Sequence, residues 1–151
     1  MAIVSYRVNI PAEDAKKAGE SKSFQRAIVN WPDGSEFTVK KCGFAQRVED
    51  GVPKDSYAPV FIDDNDKLMF VRMLVRERVK ADGSIISPNG EVNLKTLEII
   101  SKNEGKNDQE ILDALFAEFR DRTFVAHRQT YAAKGRFGEY PASIINFSFK
   151  E

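Results

Sequence analysis

Cations and aromatic rings interleave in two stretches of this chain, and these are the residues whose types and spacing point to chemistry. The first set is Phe70, Arg72, Arg76, Arg78 and Lys80, within Lys67 to Lys80; the second is Arg128, Tyr131, Lys134, Arg136, Phe137 and Tyr140, in and beside the segment Ala132 to Pro141. A single-stranded nucleic acid needs both ingredients. Cations spaced along a groove meet its phosphates, and flat rings accept its unpaired bases, each stacked base contributing about 1–3 kcal/mol. Gly135 and Gly138 flank Arg136 and Phe137, where they permit a tight bend and close approach to a ligand. The same residues also fit a blander arrangement: a solvated strand face and a surface hairpin whose aromatics plug the end of a barrel.

Other constellations are poorer. Asp63, Asp64 and Asp66, with Glu49 and Asp50 nearby in sequence, would suit a magnesium-dependent nuclease, but they lack the ligand order of an EF-hand loop, and Asp/Asn clusters are common hairpin-turn material. The sole histidine, His127, has no serine or cysteine motif to activate and reads as a strand-surface or base-contact residue. Cys42 beside Gly43 reads as a small buried residue. No Gly-rich phosphate loop, paired-Cys zinc signature or nucleophile elbow occurs, so a non-catalytic protein without metal or cofactor is expected.

The elements that must position these groups follow from periodicity. Asn107 is placed to cap a helix, with Glu110 three residues on completing a capping box. Ile111, Leu112, Leu115, Phe116 and Phe119 then give one apolar stripe, so a helix is expected over 108–122 with Arg120 and Arg122 near its carbonyl end. Thr123 to Tyr131 and Ser143 to Phe149 read as strands joined by a long loop, Ala132 to Pro141. Upstream, Ile3 to Ile10 reads as a strand, and Ala12 to Ser21 as a short helix or surface loop. Phe24 to Trp31 and Glu36 to Val48 form a hairpin around Pro32-Asp33-Gly34, with Gly43 marking a bulge or bend. Glu49 to Tyr57 is a loop, Ala58 to Ile62 a short strand and Asp63 to Asp66 a turn. Lys67 to Lys80 is the longest strand pattern, with Met69, Val71, Met73, Val75 and Val79 on one face and Leu68, Phe70, Leu74 and the cations on the other. Asp82-Gly83 and Pro88-Asn89-Gly90 are turns. Leu94 to Ser101 fits a helical turn or a strand, with Leu94, Leu97 and Ile100 favouring the helix.

Composition bounds the rest. A chain of 151 residues with 42% hydrophobic residues suits a single domain, 1–151, able to bury an ordinary core. Its 23 basic residues balance 23 acidic ones, which excludes a uniformly basic binder and requires any polyanion contact to come from local segregation of charge. One cysteine excludes an internal disulfide, and no leader-like or bilayer-spanning apolar run occurs, so a reducing, cytoplasmic setting away from membranes is expected.

In order, three strand regions, a helix and two final strands joined by a basic-aromatic connection resemble the oligonucleotide-binding fold, in which a helix sits between the third and fourth strands. The chain is similar to small single-stranded-DNA-binding proteins of that fold from phages and mobile elements. The resemblance implies a mainly β domain with one main α-helix: a small OB-like barrel over 24–149, preceded by an N-terminal strand or arm, 1–23. It further implies single-stranded DNA as partner, bound with little sequence preference, with a homo-oligomer allowed. Unlike the bacterial members, this sequence has no glycine- and proline-rich tail with an acidic tip after Phe149, so recruitment of partners through such a tail is not expected. The alternative is a structural or protein-interaction module, a phage or accessory component that pairs through an open β edge without binding nucleic acid.

Overall fold

The computed structural model describes residues 4–10, 20–24 and 31–151. The described chain is mainly β. Five strands, β1 (Val4–Ile10), β2 (Glu20–Phe24), β4 (Lys41–Glu49), β5 (Val52–Ile62) and β6 (Leu68–Phe70), form an antiparallel sheet in the order β2-β1-β4-β5-β6. A second sheet, β10-β9-β3, joins β3 (Glu36–Thr38), β9 (Thr123–Gly135) and β10 (Gly138–Phe149). A two-stranded ribbon, β7 (Arg78–Val79) with β8 (Ile85–Ile86), completes the strands. Among the described residues strand pairing does not close these sheets into a barrel. No described helix is long and apolar enough to cross a membrane.

Two helices are present where one main helix is expected. The first, α1 (Glu91–Lys102), forms over the ambiguous Leu94 to Ser101 segment, but its buried face is not the leucine stripe. Val92, Asn93, Thr96 and Ile99 face inward at spacings of three and four, while Leu94 and Leu97 remain about half exposed. The second, α2 (Asp108–Phe119), starts as its cap dictates: Asn107 Oδ1 accepts the Glu110 N–H at 2.9 Å, and the Glu110 carboxylate accepts from the Asn107 amide at 2.9 Å. It stops at Phe119, short of Arg122, because Asp121 turns to a positive φ of 63° and its N–H donates to Val39 O. Asn107→Ala is expected to destabilise the fold by about 1 kcal/mol in urea unfolding, the usual cost of losing an N-cap.

Packing explains the sheet boundaries. Cys42, Phe61 and Met69 share one face of the five-stranded sheet and join Phe37, Leu112, Leu115, Phe119, Phe124 and Phe147 in the main core with both helices. Val8, Ala45, Val60, Ile62 and Leu68 form a smaller cluster on the opposite face, with Tyr6 and Phe70 against it. The expected strand Glu36 to Val48 is broken at Val39 and Lys40, where the chain passes from one sheet to the other. There Val39 N–H donates to Arg122 O and Lys40 N–H to Ile62 O. Gly43, expected as a bulge, pairs regularly with Val60; the register shift lies between Gln46 and Val48. The expected loop Glu49 to Tyr57 is strand β5 entered through a two-residue turn, Asp50-Gly51, with φ of 50° and 79°. That pair of positive φ values matches the type I′ turn Asp-Gly favours. Pro53 is tolerated because this end of β5 is a sheet edge.

The hairpin expected between Phe24 to Trp31 and Glu36 to Val48 is not formed by the described residues: β3 pairs with β9. Residues 25–30 of that hairpin lie outside the described chain, as does the expected helix or loop up to residue 19; Glu20 and Ser21 belong to β2.

Candidate nucleic-acid interface

Strand β6 is short, and the continuous strand expected over Lys67 to Lys80 is replaced by a 3-10 helix, Val71–Leu74, between β6 and β7. The reason is visible in packing. Val71 and Leu74 stand three residues apart and both enter the core, which a helix of three residues per turn allows and a strand does not. Leu74, expected beside the arginines, is therefore fully buried. Arg72 is left exposed on the outer side of the turn and Met73 is half-buried against the core, with Arg76 and Arg78 following.

These side chains converge on a cleft of about 220 Å³. Arg72, Met73, Arg76 and Arg78 line it together with Tyr6, Leu68, Phe70 and the largely buried Trp31. Tyr6 and Phe70 meet edge to face, ring centroids 5.0 Å apart. Trp31 is braced edge to face by Phe37 and Phe147, and the Lys67 ammonium sits 4.0 Å from its ring centroid. Tyr6, Leu68 and Phe70 belong to the sheet face turned away from the helices, whereas Trp31 and Met73 pack with the main core. Among the described residues none of the Arg72, Arg76 and Arg78 guanidinium groups pairs with a carboxylate, whereas Lys40, Arg47, Lys95, Lys102, Arg122 and Lys150 all do. Among the described residues, a chain of zero net charge thus gathers three arginines without ion-pair partners at one cleft.

The second set is built differently from expectation. Ala132 to Pro141 is no long loop: β9 and β10 pair continuously from Phe124 with Phe149 to Gly135 with Gly138, leaving only Arg136 and Phe137 as the connection. Gly138 takes the positive φ, 111°, that closes the turn. Tyr131 and Tyr140 share a shallow depression with Thr130, Ala132, Glu139 and Pro141. The Tyr140 ring lies across Gly135, where a Cβ would stand 2.9 Å from it. Lys134, Arg136 and Phe137 are exposed toward the tip. Arg128 is apart from these: its backbone N–H donates to Asp33 Oδ1 and its guanidinium to Trp31 O at 3.3 Å, so it fastens the Trp31 segment to β9.

Of the sequence-predicted residues, the structure brings Phe70, Arg72, Arg76 and Arg78 together in the cleft and places Tyr131, Lys134, Arg136, Phe137 and Tyr140 on the hairpin. The β7–β8 ribbon links the two: Ala81, three residues after Arg78, donates its N–H to Ala132 O at 2.8 Å. Tyr6, Trp31 and Met73 line the cleft and are missed by sequence reasoning. Only Trp31 carried a signal, as the one tryptophan just before the Pro32-Asp33-Gly34 turn.

Catalytic alternatives gain nothing from the geometry. Asp63 Oδ1 accepts from the backbone N–H groups of Asn65 and Lys67, closing the turn, and no metal-binding group of three His, Cys, Asp or Glu occurs among the described residues. His127 Nε2 lies 2.8 Å from Ser148 Oγ on the exposed hairpin, with no carboxylate among the described residues orienting the other ring nitrogen. Cys42 is buried. Comparison with known proteins finds no matching family model, curated protein or solved structure.

Proposed function

We propose that this protein binds single-stranded DNA without catalysing a reaction, holding the strand in the cleft that the arginine-bearing turn and its following segment share with Tyr6 and Phe70. The observation that carries this reading is the set of three guanidinium groups, Arg72, Arg76 and Arg78, unpaired among the described residues and lining one cleft with the rings of Tyr6 and Phe70. The arginines would meet phosphates and the rings would meet bases, neither contact demanding a particular sequence. From the cleft the strand would continue along the β7–β8 ribbon to Tyr131 and Tyr140. The same reading carries the OB-like expectation: an antiparallel sheet whose chain crosses between sheets at Val39 and Lys40, with a helix before the last two strands.

A protein-interaction module is the second reading, favoured by Leu94 and Leu97 standing 54% and 52% exposed on α1. Salt separates the two. Fluorescence anisotropy of labelled oligothymidine is expected to show saturable binding that weakens by at least about tenfold between roughly 50 and 200 mM salt. Absence of binding at the lower salt would transfer the protein to the second reading.

A further inference from the structure

We infer that the β9–β10 hairpin tip is a wedge that inserts Phe137 into the base stack where single-stranded DNA meets duplex, a role that rests on the single-strand-binding reading above. Phe137 is 96% exposed, far more than Tyr140 at 51%, and its only ring contact among the described residues is with the Arg136 guanidinium, 5.7 Å from the ring centroid. A phenylalanine so exposed gains nothing from the protein's own core. It is also held firmly: the strand ladder runs to Gly135 and Gly138, so the tip is a two-residue turn on a paired ribbon.

Its reach is sufficient. Among the described residues the last backbone bond between this end of the hairpin and the rest of the chain is from Ala81 to Ala132. Three residues of strand beyond Ala132, ending at Gly135, project by about 10 Å. The major groove is only about 8.5 Å deep, so a tip resting among phosphates reaches the bases. Lys134 and Arg136, with no carboxylate partner among the described residues, supply charge for those flanking phosphates. Apolar side chains on such projections unstack base steps when they enter them. The cleft, joined to the hairpin through the ribbon, would receive the strand that has been freed.

The test uses a tailed duplex with 2-aminopurine at the junction pair, beside labelled oligothymidine, for the wild type, Phe137→Ala and Phe137→Trp. The wild type should raise 2-aminopurine fluorescence, Phe137→Ala should lose most of that rise, and Phe137→Trp should restore it. The junction signal of each variant is compared at protein concentrations that saturate labelled oligothymidine, so that a weaker affinity in Phe137→Ala is not counted as loss of the wedge. An undiminished fluorescence rise in Phe137→Ala, with oligothymidine still bound, would overturn the wedge and leave the binding function standing. Failure of the wild type to bind oligothymidine would overturn the reading on which the wedge rests. Sedimentation with phosphatidylserine vesicles, lost in Phe137→Ala and without any junction signal, would overturn the wedge in favour of a membrane contact.

Discussion

Arg72→Ala combined with Arg76→Ala is expected to weaken oligothymidine binding on the order of ten- to a hundredfold at moderate salt and to lower the slope of log affinity against log salt by about two. Both side chains are exposed on the cleft rim, neither pairs with a carboxylate among the described residues, and the inward positions of their turn are Val71 and Leu74. Their loss removes phosphate contacts without opening the core, so the thermal midpoint should move by less than about 2 °C. Phe70→Ala makes a useful contrast. Its ring packs on Tyr6 and the second core cluster, so that change should lower stability and affinity together. An unchanged affinity and salt slope in the double arginine variant would exclude the cleft as the phosphate track.

The largest stability effect is expected from Asn93→Ala. The Asn93 side chain is buried, donates from Nδ2 to Leu74 O at 2.9 Å and accepts the Phe147 N–H on Oδ1 at 2.7 Å. One residue of α1 thus pins the end of the arginine-bearing turn to β10. The close approach needs Gly90 at the start of α1, where a Cβ would stand 2.5 Å from Phe147 O. Truncating Asn93 strands a buried carbonyl and a buried amide, at about 1–3 kcal/mol each, so urea unfolding should show a loss on the order of 3 kcal/mol. In a domain of this size that corresponds to a fall in thermal midpoint on the order of 10 °C. Oligothymidine affinity should fall as well, because the turn that presents Arg72 loses its anchor. A variant with undiminished stability would mean that the turn is fixed by Val71 and Leu74 alone.

Asn93 also shows why parts of this fold are illegible in sequence. Helix α2 is readable because its determinants are local: a cap at Asn107, Glu110 three residues on, and a run of apolar residues at helical spacing. The 67–80 segment is not, because Met69 and Val71 fit a strand period while Val71 and Leu74 fit a three-residue period, and only core contacts decide between them. Asn93 looks like an interruption in an apolar pattern until its partners, 19 and 54 residues away, are known. In the hairpin, Gly135, Gly138 and Pro141 are turn-forming types that cross-strand pairing holds in register.

The candidate site divides in the same way. Phe70, Arg72, Arg76 and Arg78 share a face only in a strand alternation that does not extend beyond β6, yet they line one cleft, Arg72 from the exposed side of the 3-10 turn and Arg76 and Arg78 from the segment after it. Tyr6 is illegible because it meets Phe70 only across the sheet order β1-β4-β5-β6, and Trp31, though conspicuous as the one tryptophan, reaches the same cleft only through core packing against Phe37 and Phe147.

Trp31 is the only tryptophan, and it lines the cleft. Titrating the protein with oligothymidine while following intrinsic tryptophan emission therefore reads occupancy of the cleft itself. The expected result is a saturable change in Trp31 emission that follows the same binding curve as anisotropy and is reversed by added salt. Oligothymidine binding seen by anisotropy with Trp31 emission unmoved would contradict it, placing the strand elsewhere on the protein.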